Sequence, residues 1–499
     1  MAGIRYNVKL VKGILANTNN LRWAFLGFLV IWFLVNLITL SWYPALTISP
    51  DEAWMADIGL GFLRSGLVKT TMFPDTGLNS IGYGIISFPV YAGALALSFK
   101  AFGITPFAAR LVSLVGGMLM LVSVYLIGKR LWSEKAGILA AVIMGLSGAF
   151  ILVSHVVRPE PLLAGFLGFA LYATIRAREG RGWAIACGFL AGILPLTYTS
   201  GAILALAIFV CLLVGRSWRA LPWFAVGVAA PALFFLFYNI IPSIGLSRPS
   251  DILENHGYVE GFIPLLLFKN PPYALHLYLQ NLVFRNLHCI IGVPADNRTF
   301  YFVSSLAGVI GIIFSVYYWA REQRPLIVFF LVGLILIAFF PRGLAPPHSF
   351  LGFATLFYPV LFTVFAGVLL EPFWKNRWVL AILAIVMVME DVRLAKQVLS
   401  DRRTNIALVA AMDELVGTAG DSVVVDRSLW WWAAPGRVRL PRSFYQDQDT
   451  SFRGMPGLFT RALDDPSLRL EKKIAIPMRF PSSQPWFELN TLYLYVPPM

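Results

Sequence analysis

Two short stretches place ionisable groups at points where an otherwise apolar chain leaves or re-enters a hydrophobic run. "ISPDEAW" (48–54) sets Asp51 beside Glu52, and "HVVRPEP" (155–161) brings His155, Arg158 and Glu160 close together. A carboxylate within about 3 Å of a hydroxyl or amine can take its proton as it attacks an electrophile, so the acidic pair suits general-base chemistry. An arginine and a glutamate two residues apart in a turn can present one cation and one anion to the same cleft, and a guanidinium fork can bind two anionic oxygens at once. Each stretch also has a plainer reading. "SPDEAWMADIGLGF" looks like a helix start with Ser49 or Asp51 as N-cap, where first-turn acids complement the helix dipole. Arg158 could be a snorkelling anchor at the membrane surface.

The elements that position these residues are set by composition. Of 499 residues, 58% are hydrophobic and 13% charged, against roughly 25% charged in an ordinary soluble domain, so the chain reads as a multi-span membrane protein. Trp23 to Leu40 carries no charge and is followed by no small-residue cleavage site, and it is expected to be a retained first span. Further apolar runs lie at 107–127, 136–154, 162–175, 183–196, 200–215, 221–240, 301–319, 325–340, 355–370 and 378–390, which predicts about eleven spans in all.

Charge orients them. Arg5, Lys9, Lys12 and Arg22 precede the first span with no acid among them, which places the N-terminus in the cytoplasm. Alternating the spans then gives cytoplasmic loops rich in Lys and Arg, while the outer loops 42–106, 155–161, 241–300 and 341–354 hold equal numbers of basic and acidic residues. "SFPVYAGALALSF" (87–99) has the composition of a span, yet counting it as one would put the basic "KRLWSEK" cluster outside. Residues 81–100 therefore read as a helix lying at the outer interface. Orientation accounts for most of the net charge of +14, and no nucleic-acid partner is expected. Cys187, Cys211 and Cys289 show neither a disulfide framework nor zinc spacing, and His256, His276 and His288 lack the spacing of a metal-binding helix.

From residue 391 the chain becomes less apolar. "RRTNIALVAAMDELVG" has helical periodicity, and "DSVVVD" (421–426), "KKIAIPMRF" (472–480) and "LYLYV" (492–496) read as strands. The expected fold is mainly α: a polytopic helical membrane module over 1–390 with a small C-terminal α/β domain over 391–499, placed outside the cell by the odd number of spans.

The acidic pair after the first span, the interfacial helix, the "TPFAARLVSLVGG" entry to the second span, the R-x-E turn after the third and "HSFLGFATLFYP" near the tenth together resemble the polyprenyl-phosphate-sugar-dependent glycosyltransferases of the GT-C superfamily. The nearest likeness is to the protein O-mannosyltransferase and lipid A aminoarabinose transferase group, and it covers roughly residues 20–370. The resemblance implies transfer of a sugar from a polyprenyl phosphate carrier to a lipid, glycan or protein acceptor at the outer membrane face. It matches Asp51 to the general base and Glu52 to its neighbouring acid, and it matches Arg158 and Glu160 to the arginine and acid of the turn. One departure is that "NSIGYGIISFP" stands where the aminoarabinose transferases carry a Lys-Pro-Pro-Leu-like stretch, so no lysine is available there for the lipid phosphate.

A phosphate leaving group gains more from cations that stabilise its charge than from a general acid. Arg158 is the first candidate, with His155 beside it; Arg342 and His348 in "PRGLAPPHSF" are next, and Arg285 and Lys269 follow. No cofactor or metal site is called for, although a divalent cation stays open. Expected partners are the donor, its acceptor and membrane lipids, with the protein in the cell membrane. Two other classes share many of these features: a transporter or flippase, which would place ionisable groups near mid-membrane, and a glycan polymerase or ligase using a pyrophosphate-linked donor.

Overall fold

The computed structural model describes residues 18–44, 50–68, 88–241, 270–291, 302–317, 324–338, 347–373, 376–419, 424–426, 440–442, 457–459, 469–475 and 491–496, and within them the apolar runs are almost entirely helical. The first half comprises α1 (Thr18–Thr39), α2 (Pro50–Ser65), α3 (Pro89–Phe102), α4 (Pro106–Leu131), α5 (Glu134–Gly145), α6 (Gly148–His155), α7 (Glu160–Arg176), α8 (Arg181–Thr197), α9 (Gly201–Val214) and α10 (Leu221–Phe235). The second half comprises α11 (Pro271–Ile291), α12 (Phe302–Tyr317), α13 (Arg324–Ile337), α14 (Pro347–Phe373) and α15 (Arg377–Ala419).

Prolines start several of these helices, because a fixed φ and a missing N–H cost nothing in a first turn. Pro50, Pro89 and Pro106 open α2, α3 and α4, and Thr105 caps α4 by accepting the Ala108 N–H at 3.2 Å. Of the stretch 81–100 expected as a helix, residues from Pro89 on lie in α3, which packs on α2 and α4, and 81–87 lie outside the described residues.

Among the described residues, Leu21–Thr39, Pro106–Leu131 and Trp218–Tyr238 are long and apolar enough to cross a membrane. The run expected as one span over 136–154 is broken: α5 and α6 meet at 67° and form at most one bent crossing. "GLSG" supplies the reason. Two glycines weaken the helix there, and Ser147 is extended, with its hydroxyl 2.9 Å from that of Ser304. The Gly148 N–H that opens α6 donates to the Glu390 carboxylate at 2.7 Å.

The helices bury their apolar faces against a core centred on α4, α5, α7 and α14, which includes Leu121, Phe150, Leu167, Tyr358 and Phe362. The α4–α7 contact is close enough to require glycine: a Cβ on Gly116 would lie 2.5 Å from the Leu162 backbone nitrogen. At the other end of these helices Arg130 and Arg176 both donate to Glu179, at 3.1 and 2.7 Å, and Arg176 also lies 4.1 Å over the Trp183 ring. Burial opposes ionisation of Glu179, but these hydrogen bonds and charges outweigh it and hold the carboxyl below its ordinary range. These loop cations thus have partners within the protein.

The last span differs most from expectation. The run at 378–390 and the helix expected beyond residue 391 are one unbroken helix, α15, so the anticipated domain boundary falls inside it. Its C-terminal half meets the chain just beyond α1, where Asn405 donates to the Trp42 carbonyl at 3.2 Å and Arg402 lies 4.4 Å over the Trp42 ring. Glu390 therefore sits about 22 Å down the helix axis from that level, at 1.5 Å per residue.

Beyond α15, β1 (Val424–Asp426), β2 (Leu440–Arg442), β3 (Gly457–Phe459), β4 (Arg469–Ala475) and β5 (Thr491–Val496) form one mixed sheet of order β2-β1-β3-β5-β4. β1 pairs in parallel with β2 and β3, and β5 pairs antiparallel with β3 and β4. The three expected strands correspond to β1, β4 and β5. "LPR" and "GLF" are too short to show alternation and were not legible as strands.

Candidate active site

The first turn of α2 holds both acids. Asp51 is the second residue of the helix, and its side chain lies outside the described residues. Glu52 is fully buried. Its Oε2 accepts from Arg110 Nη2 at 2.8 Å, while Oε1 accepts from Arg110 Nε at 3.1 Å and from the Val157 N–H at 2.8 Å. Arg110 is likewise fully buried on α4, and its Nη1 donates to the carbonyls of Leu40 and Pro44 at 3.1 and 2.9 Å. One guanidinium thus fastens the chain leaving α1, the start of α2, the body of α4 and, through Glu52, the turn after α6. Such a pair is tolerable in an apolar interior because nearly every donor and acceptor lobe is occupied.

Both oxygens of the Glu52 carboxylate are thus taken up by Arg110 and the Val157 N–H. Arg110 itself was visible in the sequence only as a lone charge close to the start of a span. A buried cation must find an anion, but spacing does not say which of several acids it finds.

The turn after α6 supplies a second buried pair. Arg158 Nη2 and Nε donate to Glu160 Oε1 and Oε2 at 2.6 and 3.1 Å, the side-on arrangement suited to a guanidinium and a carboxylate. Pro159 and Pro161 fix the backbone on either side, so Glu160 enters the first turn of α7 with its carboxylate folded back on Arg158. The Ser113 hydroxyl, from α4, donates to the Arg158 carbonyl at 3.2 Å and accepts the Arg158 N–H at 3.4 Å. One ion pair is tied to the N–H of Val157 and the other starts from the next residue, Arg158.

His155 is brought to the same region but is turned toward α1. Its Nδ1 lies 2.8 Å from the Ile151 carbonyl and its Nε2 lies 3.0 Å from the Thr39 hydroxyl, and its ring meets Tyr43 edge-on. Both ring nitrogens have protein partners, which argues for a packing role. Arg342, Lys269 and His256 lie outside the described residues. His348, Arg285 and His288 are on the helical backbones of α14 and α11, but their side chains lie outside the described residues, and His276 is exposed on α11. Among the described residues no cluster of His, Cys, Asp and Glu fits a metal ion.

Sequence reasoning did not single out Tyr91. It stands on α3, fully buried, in electrostatic reach of Glu160, Arg158 and Glu52. Burial first, and then the charge of Glu160, hold its phenol well above the ordinary range, so it stays a hydrogen-bond donor.

Residues 88–241, which run from the start of α3 past α10, match the family of dolichyl-phosphate-mannose-protein mannosyltransferases. The chain superposes on the crystal structure of ArnT from Cupriavidus metallidurans bound to undecaprenyl phosphate, with a TM-score of 0.54 at 13% identity, covering 97% of this chain and 100% of that one. The chain has the GT-C superfamily fold. A further likeness is to the archaeal oligosaccharyltransferase AglB from Archaeoglobus fulgidus, in complex with an inhibitory peptide and a dolichol-phosphate, with a TM-score of 0.45 at 14% identity, covering 85% of this chain and 65% of AglB. No curated protein sequence matches the chain. Within the GT-C fold, the two buried pairs sit where α1, α2, α4 and the α6–α7 turn converge.

Proposed function

We propose that this protein is an integral-membrane glycosyltransferase that moves a sugar from a polyprenyl-phosphate-linked donor to a lipid, glycan or protein acceptor on the extracytoplasmic face, with Asp51 as general base. The observation that carries the reading is the Arg110–Glu52 pair, which fastens the residue next to Asp51 to the turn that bears Arg158 and Glu160. A base and a phosphate-binding cation must share a cleft for this reaction, and here one buried network fixes their backbones relative to each other. The GT-C fold and the match to a mannosyltransferase family over residues 88–241 support the donor class.

In this reading Asp51 accepts the proton of the acceptor hydroxyl or amine as the acceptor's oxygen or nitrogen bonds to the anomeric carbon. The bond from that carbon to the phosphate oxygen breaks, and the electron pair leaves with the polyprenyl phosphate. Arg158 offsets the charge that grows there, with Arg342 or His348 as a second donor from the other side, and Glu160 aims the guanidinium. About eleven crossings, a cytoplasmic N-terminus and an outer sheet domain belong to the same proposal and rest on the distribution of Lys and Arg.

Among the described residues, Glu390 is the observation that favours a transporter, being an acid deep along the last expected span. Its Oε1 accepts the Gly148 N–H at the start of α6, which gives it a structural task at the break in the bent crossing. The deciding experiment incubates the purified protein with polyprenyl-phosphate-linked pentose and hexose donors and measures sugar release. Release that requires Asp51 supports the transferase; vesicle translocation of the donor with no release refutes it.

A further inference from the structure

The chain that leaves α1 for α2 has no helical donors for its carbonyls, and three alternate ones are met by side chains from two other helices. Arg110, on α4, gives Nη1 to the carbonyls of Leu40 and Pro44 at 3.1 and 2.9 Å. The carbonyl between them, that of Trp42, receives the side-chain amide of Asn405 on α15 at 3.2 Å, and Arg402, one turn earlier, lies 4.4 Å over the Trp42 ring. Asn405 is buried, and so are Asp401 and Thr404 on the same face of α15; further along that face the buried positions are apolar, at Leu408, Met412 and Leu415. An amide therefore stands where a packing side chain would otherwise serve. Burying an amide costs free energy unless a bond such as the one to Trp42 offsets it, so a polar residue here needs a reason.

We infer that Asn405 is a positioning residue for Asp51, holding the approach to α2 from α15 as Arg110 holds it from α4. Asp51 follows Pro44 by seven residues, and Glu52 beside it is bound by the same Arg110 guanidinium. Arg110 alone fixes the two outer carbonyls of the connection and leaves the peptide between Trp42 and Tyr43 to turn. The bond from Asn405 removes that freedom, and the Tyr43 ring, edge-on to His155, is held with it. The direction in which the chain sets out for Asp51 is then fixed from two helices. Because α15 runs unbroken to Ala419 and packs on β5, the helix that leads into the sheet becomes part of the framework of the site. The inference rests on the reading of Asp51 as the base and adds a residue, 354 positions further along the chain, that keeps it in place.

Asn405→Leu removes the donor and keeps a side chain of similar size. Turnover of a polyprenyl-phosphate-linked sugar is measured in the wild-type and Asp51→Asn backgrounds, together with hydrogen exchange over residues 40–52 of the detergent-purified protein. Asn405→Leu is expected to lower kcat by roughly 2- to 10-fold, the range that one neutral hydrogen bond is worth, with KM for the donor unchanged and exchange over 40–52 faster. In the Asp51→Asn background the same substitution should cost nothing further, because a base that is absent cannot be misplaced. An equal fold loss in both backgrounds would overturn the inference, since a general loss of folded protein lowers both alike. Unchanged exchange over 40–52 would overturn it too. If Asn405→Leu does not fold, Asn405→Gln, which keeps the amide but moves it by one methylene, is held to the same two comparisons. A wild-type protein that releases no sugar, but whose exchange over 40–52 quickens with Asn405→Leu, would refute the transferase reading and uphold the clamp.

Discussion

Glu52→Gln is the substitution on which the architecture of the site turns. The wild-type carboxylate receives three hydrogen bonds, at 2.8 and 3.1 Å from Arg110 and at 2.8 Å from the Val157 N–H. Gln has nearly the same shape but only one oxygen, and its NH2 group would face a donor on either side. At least one of the three bonds is lost, and Arg110 is left fully buried with its charge uncompensated. Breaking a buried pair by neutralising one partner costs about 3–5 kcal/mol, a large part of the roughly 5–15 kcal/mol by which folded proteins exceed their unfolded states. Replacing both partners, as in Glu52→Leu with Arg110→Met, removes the stranded charge but leaves the Leu40 and Pro44 carbonyls and the Val157 N–H without their present partners. The double variant should therefore cost less than the sum of the single variants, by about 0.5–3 kcal/mol of coupling, and yet fail to recover activity, because the start of α2 is no longer tethered. Chemical denaturation of wild type, Glu52→Gln, Glu52→Leu, Arg110→Met and the double variant in detergent micelles, alongside sugar release, measures both quantities. A Glu52→Gln variant within about 1 kcal/mol of wild type, or strictly additive single variants, would show that the pair does not organise the site.

Asp51→Asn should lower turnover by about 100-fold or more while leaving donor binding and folding largely intact, the usual scale for a lost general base; near-normal kcat would remove Asp51 from that role. Arg158→Ala should weaken donor binding by about 1–3 kcal/mol, and Arg158→Lys should also impair it, since a point charge cannot reproduce a two-oxygen contact. Donor affinity that is unchanged in the folded fraction would reduce Arg158 to a turn-holding partner of Glu160. Cysteines introduced at Asp75 and Thr450 should both react with a membrane-impermeant reagent in intact cells; labelling of Thr450→Cys only after lysis would mean that the span count is wrong by one.

How much of this was written in the sequence can be judged element by element. The apolar runs were legible because a helix in lipid must satisfy its backbone internally and present hydrophobic side chains outward, which leaves long uncharged stretches. The helix starts at Pro50 and Pro106 followed from local chemistry. Asp51, Glu52, Arg158 and Glu160 stood out because ionisable residues bordering apolar runs are few.

The partnerships were not legible. Arg110 lies 58 residues from Glu52, and Glu52 lies 105 residues from Val157; contacts that distant are chosen by how α1, α2, α4 and α7 pack, not by spacing. The same packing turned His155 toward Thr39, buried Tyr91, and set the bend between α5 and α6 where Glu390 of α15 reaches the Gly148 N–H. The sequence determined which residue types were available at the membrane's edge, because burial of unpaired charge is costly whatever the fold. Only the tertiary structure decided which charge neutralises which, because that depends on distances between helices that hydrophobic periodicity does not encode.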